Sequence, residues 1–281
     1  MMSKQTILRL LPARVAQFAL RWHVLMNPQP DAGNVAAVEL YRAERRGRGI
    51  LPYPQYLYGL LSAARTAMGV GADAFTAIEF GVARGNGLRA LERHAEYVEK
   101  RFPVKIKLFG FDSGHGLLPP SDPKDSSFAL PSGAFAMDEA ELRGSLQRAE
   151  LVLGPVEETI GPFMREAAAR QLPAIGFVSV DLDVYTGTLA AVQGIADPQR
   201  LLPRVALYFD DLLGYPYSTA DSEWAAIDAF NESSSLKIGR VFLKHQVGGT
   251  SRVLGWPEQF FTLHAFEHPA YNAPEAELGR S

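Results

Sequence analysis

From Ala74 onward the chain repeats one pattern: a short apolar run, a carboxylate at its end, then a stretch with helical spacing. Ala77-Ile78-Glu79-Phe80 opens the series, and Val104 to Phe111 ends at Asp112. Glu150 to Leu153 is a shorter run, Ile175 to Val180 ends at Asp181, and Val205 to Phe209 ends at Asp210 and Asp211. Helices are predicted between them over Leu88 to Lys100, Asp138 to Ala149, Glu158 to Arg170, Tyr185 to Ala196 and Ser222 to Asn231. Near-continuous apolar runs belong to strands buried on both faces, and parallel strands of that kind are joined by helices. The series therefore predicts an α/β fold with a doubly wound, mainly parallel sheet.

Arg240 to Leu243 and Phe260 to Leu263 read as terminal strands, giving a Rossmann-like sheet of about seven strands with helices on both faces. The first 70 residues are different. Leu8, Leu11, Val15, Phe18 and Trp22 share one face of a helix, and Pro54 suits the first turn of another that runs to Met68. This divides the chain into an N-terminal helical extension, 1–70, for capping or self-association, and a ligand-binding domain, 71–281. Arg42, Arg45, Arg46 and Arg48, interleaved with Gly47 and Gly49, read as a solvated loop. The segment Leu117 to Gly133, rich in Pro, Ser and Asp, is long for a connection.

Composition narrows the chemistry. The chain of 281 residues has no cysteine, which excludes disulfides, thiolate metal sites and cysteine nucleophiles. Any metal falls to Asp, Glu, His or carbonyl oxygen. A net charge of −3 gives no global field for nucleic acid. No apolar run is long enough for a membrane span, and Arg9, Arg14 and Arg21 interrupt what would otherwise resemble a secretory segment. A cytoplasmic location is the expectation.

In such sheets ligands bind beyond the carboxyl ends of the strands. There Gly81, Gly85 and Gly87 form a strand–turn–helix junction behind Glu79. A dinucleotide site favours Gly-x-Gly-x-x-Gly. Here the order is Gly-x-x-x-Gly-x-Gly with an acid two residues before it. That order resembles the S-adenosylmethionine (SAM) motif of class I methyltransferases, with Asp112 matching the acid that receives the ribose hydroxyls. A tight turn without a ligand is the plain alternative.

Asp181 with Asp183, and Asp210 with Asp211, would bring four carboxylates to one rim if their strands are neighbours. Uncompensated, they repel and raise one another's pKa values. Mg²⁺ is the expected remedy, being hard and oxygen-preferring. The alternative is helix capping, which Asp183 could supply. A metal that acidifies and positions a hydroxyl, with a carboxylate to take its proton, suits methyl transfer from a sulfonium.

The strings Ile78-Glu79-Phe80-Gly81-Val82, Phe109-Gly110-Phe111-Asp112-Ser113, Asp181-x-Asp183-x-Tyr185-x-x-Thr188 and Phe209-Asp210-Asp211 resemble the macrocin O-methyltransferase family over roughly Thr76 to Asn231. The resemblance implies a SAM-dependent, Mg²⁺-assisted O-methyltransferase acting on a hydroxyl of a sugar or natural product. It implies that Asp181, Asp210 and Asp211 ligate the metal and that Asp181 and Asp183 serve catalysis. It implies that Glu79, Gly81, Gly85, Gly87, Asp112, Ser113 and Glu157 contact SAM. The partner is then a small-molecule acceptor, with self-association through the N-terminal helices. His115 and His245 are further candidate bases. A nicotinamide-dependent oxidoreductase and a non-catalytic SAM-binding module are the competing readings.

Overall fold

The structure, a computed structural model, describes residues 35–46, 51–126, 128, 131–214, 216–242 and 255–276. The expected helix on Leu8 to Trp22, Arg48 and His245 lie outside the described residues. In chain order the elements are helices α1 (Val35–Arg46) and α2 (Pro54–Gly69), strand β1 (Ala74–Phe80), α3 (Asn86–Arg101) and β2 (Lys105–Asp112). There follow α4 (Glu139–Ser145), β3 (Glu150–Leu153), α5 (Val156–Ala169), β4 (Ile175–Val180), α6 (Tyr185–Gly194) and β5 (Leu201–Phe209). The chain then forms α7 (Ser222–Ser233), β6 (Lys237–Arg240) and β7 (Phe260–His264).

The seven strands make one sheet in the order β3-β2-β1-β4-β5-β7-β6. All neighbouring pairs are parallel except those of β7, which runs antiparallel to both β5 and β6. The expected mainly parallel sheet of seven strands is thus present. Successive side chains of a strand face opposite ways, and each face has its own core. Phe177 joins Leu57, Leu60, Phe75 and Tyr208 on one side, while Val178 joins Phe80, Phe209, Phe230 and Phe261 on the other. Helix α2 lies close against the sheet because Gly59 has no side chain: a Cβ there would sit 2.2 Å from the Phe177 ring.

Three expectations need correction. Arg42 and Arg46 lie on α1 and not in a loop, and Arg42 pairs with the buried Glu39. Glu39 also pairs with Arg101 of α3 at 3.0 Å, which fastens α1 to the domain. The helix expected to reach Ala149 stops at Ser145. The Glu92 carboxylate accepts from the backbone N–H groups of Gln147, Arg148 and Ala149 at 2.7–3.0 Å, satisfying donors that a continuing helix would have used itself. The penultimate strand covers Lys237–Arg240, earlier than the apolar run Val241-Phe242-Leu243 suggested, and Phe242 is exposed.

Candidate active site

The chain leaves β1 toward β2 on one side and returns to β4 on the other, so the switch in winding direction falls between β1 and β4. A cleft of about 1350 Å³ opens there, at the carboxyl ends of the strands. It is lined on one side by the glycine turn and on the other by the acids that follow β4 and β5.

The three glycines of the turn have separate reasons. Gly81 has φ +84°, and a Cβ on it would lie 1.7 Å from the carbonyl oxygen of Asp181, so only glycine lets the end of β1 pass the end of β4. Gly85 precedes the first residue of α3 in the left-handed conformation, φ +75°. A Cβ on Gly87 would meet Glu79 Oε1 at 1.9 Å, so its absence makes room for a carboxylate beneath the first turn of α3. Glu79 is buried there. Its Oε1 accepts from the Tyr56 hydroxyl at 2.7 Å, that hydroxyl accepts from Ser179 at 3.1 Å, and Oε2 has no partner. Burial pushes Glu79 up to about 8, against the opposing hydrogen bond from Tyr56.

Asp112, at the end of β2, accepts from Val82 N at 2.9 Å and Ala83 N at 2.8 Å with Oδ2, and from Gly114 N at 2.7 Å with Oδ1. The amides of Val82 and Ala83 in the glycine turn are therefore already bonded to protein. Ser113 donates to Gly116 O at 2.7 Å, and Glu157 stands in the first turn of α5; both line the cleft.

Across the cleft, Asp181, Asp210 and Asp211 each place a carboxylate oxygen within 4.8 Å of the others. The structure brings these three together as the sequence anticipated, and Asp183 adjoins them: its backbone N–H donates to Asp211 Oδ2 at 3.1 Å. Asp183 does not cap α6, whose N-cap is Val184 without a side-chain bond. The Asp183 carboxylate instead accepts from the Tyr217 hydroxyl. Burial and the mutual repulsion of these aspartates raise Asp181 well above the carboxylate range, and burial followed by Asp183 and Asp210 pushes Asp211 up to about 8. Oxygen-only donors, close together and disfavoured as uncompensated anions, fit a hard divalent cation. Asp210 retains Oδ2, since its Oδ1 accepts from Tyr208 at 2.6 Å.

Several groups at the site escaped the sequence reading. Glu223 is fully buried behind Asp211 and accepts from its N–H at 3.0 Å. Gln259 donates to the carbonyls of Phe209 and Asp210. Tyr53 and Tyr217 line the cleft. Asp125 reaches over from a short helical turn, Pro123–Asp125, and its Oδ1 accepts from Thr186 N at 2.9 Å and Thr186 Oγ1 at 3.0 Å. Its Oδ2 accepts from Ser121 N and Asp122 N, both at 2.9 Å. The one hint in sequence was an Asp-rich stretch inside an overlong loop. His115 is exposed and does not line the cleft.

No protein-family model matches the chain, and no curated protein is significantly similar to it. Among solved structures it is similar to the calicheamicin methyltransferase CalS11, at 19% identity over 89% of this chain and 91% of the other, TM-score 0.46. A second structure of that protein, described as a TDP-rhamnose 3'-O-methyltransferase, gives 20% identity over 89% and 93% of the chains and TM-score 0.43. The plantazolicin methyltransferase BpumL, solved with S-adenosylhomocysteine (SAH), gives 9% identity over 88% and 99% and TM-score 0.37.

Proposed function

We propose that the chain is a SAM-dependent O-methyltransferase that uses a divalent cation to methylate a hydroxyl of a small molecule. The observation that carries this reading is that the glycine turn and the aspartate cluster face one another across a single cleft at the switch point. SAM supplies an electrophilic methyl on a sulfonium. Glu79 Oε2, buried without a partner, suits the ammonium of SAM. Three N–H bonds occupy three of roughly four acceptor sites on Asp112, leaving one for a ribose hydroxyl. Gly81, Gly85, Gly87, Ser113 and Glu157 complete that side.

Asp181, Asp210 and Asp211 would hold the cation, whose charge acidifies the acceptor hydroxyl and relieves the repulsion within the cluster. Asp183, oriented by Tyr217 and raised by burial, takes the hydroxyl proton at a carboxylate oxygen. The new O–CH₃ bond forms as the S–CH₃ bond breaks in line, leaving a neutral thioether. The cleft positions the two reactants for that displacement.

A nicotinamide dinucleotide fits less well. Its pyrophosphate needs free amides in the glycine turn, and those of Val82 and Ala83 are spent on Asp112. Isothermal titration is the first test: SAM binds at micromolar concentration, and absence of heat at high micromolar ligand sinks the proposal. The double variant Asp210→Ala/Asp211→Ala keeps SAM binding, loses Mg²⁺ binding and loses about 100-fold or more in turnover. Tight SAM binding with no turnover on a broad panel of hydroxyl acceptors would favour a non-catalytic module.

A further inference from the structure

Helix α2 belongs to the first 70 residues, yet its first turn delivers a side chain to the acid that ends the opening strand. Tyr56 is 1% exposed, and its ring is wedged against Tyr53, Phe177 and Tyr208 at centroid separations of 5.1, 5.9 and 6.3 Å. Packing on three sides fixes the direction of its hydroxyl. That hydroxyl accepts from Ser179 of β4 at 3.1 Å and donates to Glu79 Oε1 at 2.7 Å. A phenol has one proton to give, and here Glu79 receives it. Burial, then Glu79 and Asp181, raise Tyr56 well above the ordinary phenol range, so it stays a donor. A Cβ on Gly87 would lie 3.0 Å from the Tyr56 hydroxyl as well as 1.9 Å from Glu79 Oε1. The glycine therefore makes room for the pair and not for the acid alone.

Tyr56 gives the two oxygens of Glu79 different tasks. Oε1 is held, while Oε2 is buried without a partner on a residue that lines the cleft. The last torsion of a glutamate is broad, and the bond from Tyr56 removes that freedom. The same bond favours the ionised carboxyl against the burial that opposes it. The titratable groups that face Glu79 are Tyr53 and Tyr56 of α2, Asp112 at the end of β2, and Asp181 and Asp210 after β4 and β5. None of these five is a cation, so the compensating positive charge has to come with a ligand.

Resting on the reading of the cleft as a SAM site, we propose that Tyr56 is a positioning residue for the cofactor: its hydroxyl holds Glu79 Oε1 so that Oε2 is presented, ionised, to the ammonium of SAM. Glu79 carries a proton while the site is empty and releases it to solvent as the ammonium docks. Cofactor binding is thereby coupled to pH through a residue of the N-terminal helices.

SAH carries that ammonium, and 5′-methylthioadenosine is an adenosyl thioether without it. Both are titrated calorimetrically into the 281-residue chain at neutral pH, in buffers of different ionisation enthalpy. The unaltered protein is expected to release about one proton per SAH and none per methylthioadenosine. Glu79→Gln, which still accepts from Tyr56, is expected to abolish that release. Tyr56→Phe keeps the packed ring. It is expected to weaken SAH about tenfold or more, to move the rise of SAH affinity with pH to higher pH, and to leave methylthioadenosine unchanged. Equal weakening of both ligands in Tyr56→Phe overturns the proposal, as does unchanged SAH affinity, SAH binding without proton release, or release that persists in Glu79→Gln. Each of those results leaves the SAM reading standing, because SAH still binds the unaltered protein. Binding of neither ligand by the unaltered protein removes the SAM reading and this proposal with it.

Discussion

Gly81 couples the two halves of the site through its missing side chain. The sequence pointed to this glycine for its closeness to a ligand, whereas the structure places the carbonyl of Asp181 where its Cβ would be. Gly81→Ala is therefore expected to cost about 3 kcal/mol or more in stability, from the positive φ and the clash with backbone together. Gly71 has a similar φ of +76° with open space around it, so Gly71→Ala should cost only about 1–2 kcal/mol. Urea unfolding of the two variants checks the difference, and equal losses would remove the assigned role. Asp112, Asp181, Asp210 and Asp211 were legible because each ends an apolar run. Tyr56, Glu223 and Gln259 were not, because they reach the site from other elements and nothing in their local pattern marks them.

The segment over the cleft is long for a connection, yet one side chain makes it a fixed wall. Asp125 bonds its own turn with one oxygen and Thr186, in the first turn of α6, with the other, supplying the cap that Val184 lacks. Lys124 adds a contact over the Tyr185 ring at 4.6 Å. Asp125→Ala should loosen residues 116–126 by about 2 kcal/mol while the sheet keeps its stability. Hydrogen exchange would register this as faster exchange confined to that segment and the first turn of α6. In turnover the variant should raise the acceptor KM more than the SAM KM. Long elements were legible where their periodicity ran unbroken, as in α3 and β4. The fourth helix was overextended because Glu92, more than fifty positions away, stops it. The edge strand Lys237–Arg240 was misplaced because Ile238 is its one buried side chain, so its alternation gives little signal beside the apolar run that follows.

Across the whole molecule, the site concentrates buried acids whose charged forms the fold disfavours. Glu79 rises from near 4.5 to about 8, and Asp181, Asp183, Asp211 and Glu223 rise with it, first through burial and then largely through one another. Between the unfolded and folded values the native state binds more protons, so stability falls as pH rises. Burial lowers His94 and His264 and gives the opposite slope below about 6.5, which confines the clean window to roughly pH 6.5–8. Thermal midpoints without metal should fall across that window. Mg²⁺ should flatten the decline, and Glu79→Gln should make it shallower. A flat profile without metal would contradict the buried-acid account. The global topology was legible down to the seven strands, but the place of the last one was not, because an antiparallel insertion leaves no mark in alternation. That insertion gives synthesis an order of its own. β6 leaves the ribosome before β7, yet β7 lies between it and β5. Until Phe260–His264 is made, one edge of β5 has no partner, so the nascent sheet carries an open, adhesive margin that the chain closes only late in its translation.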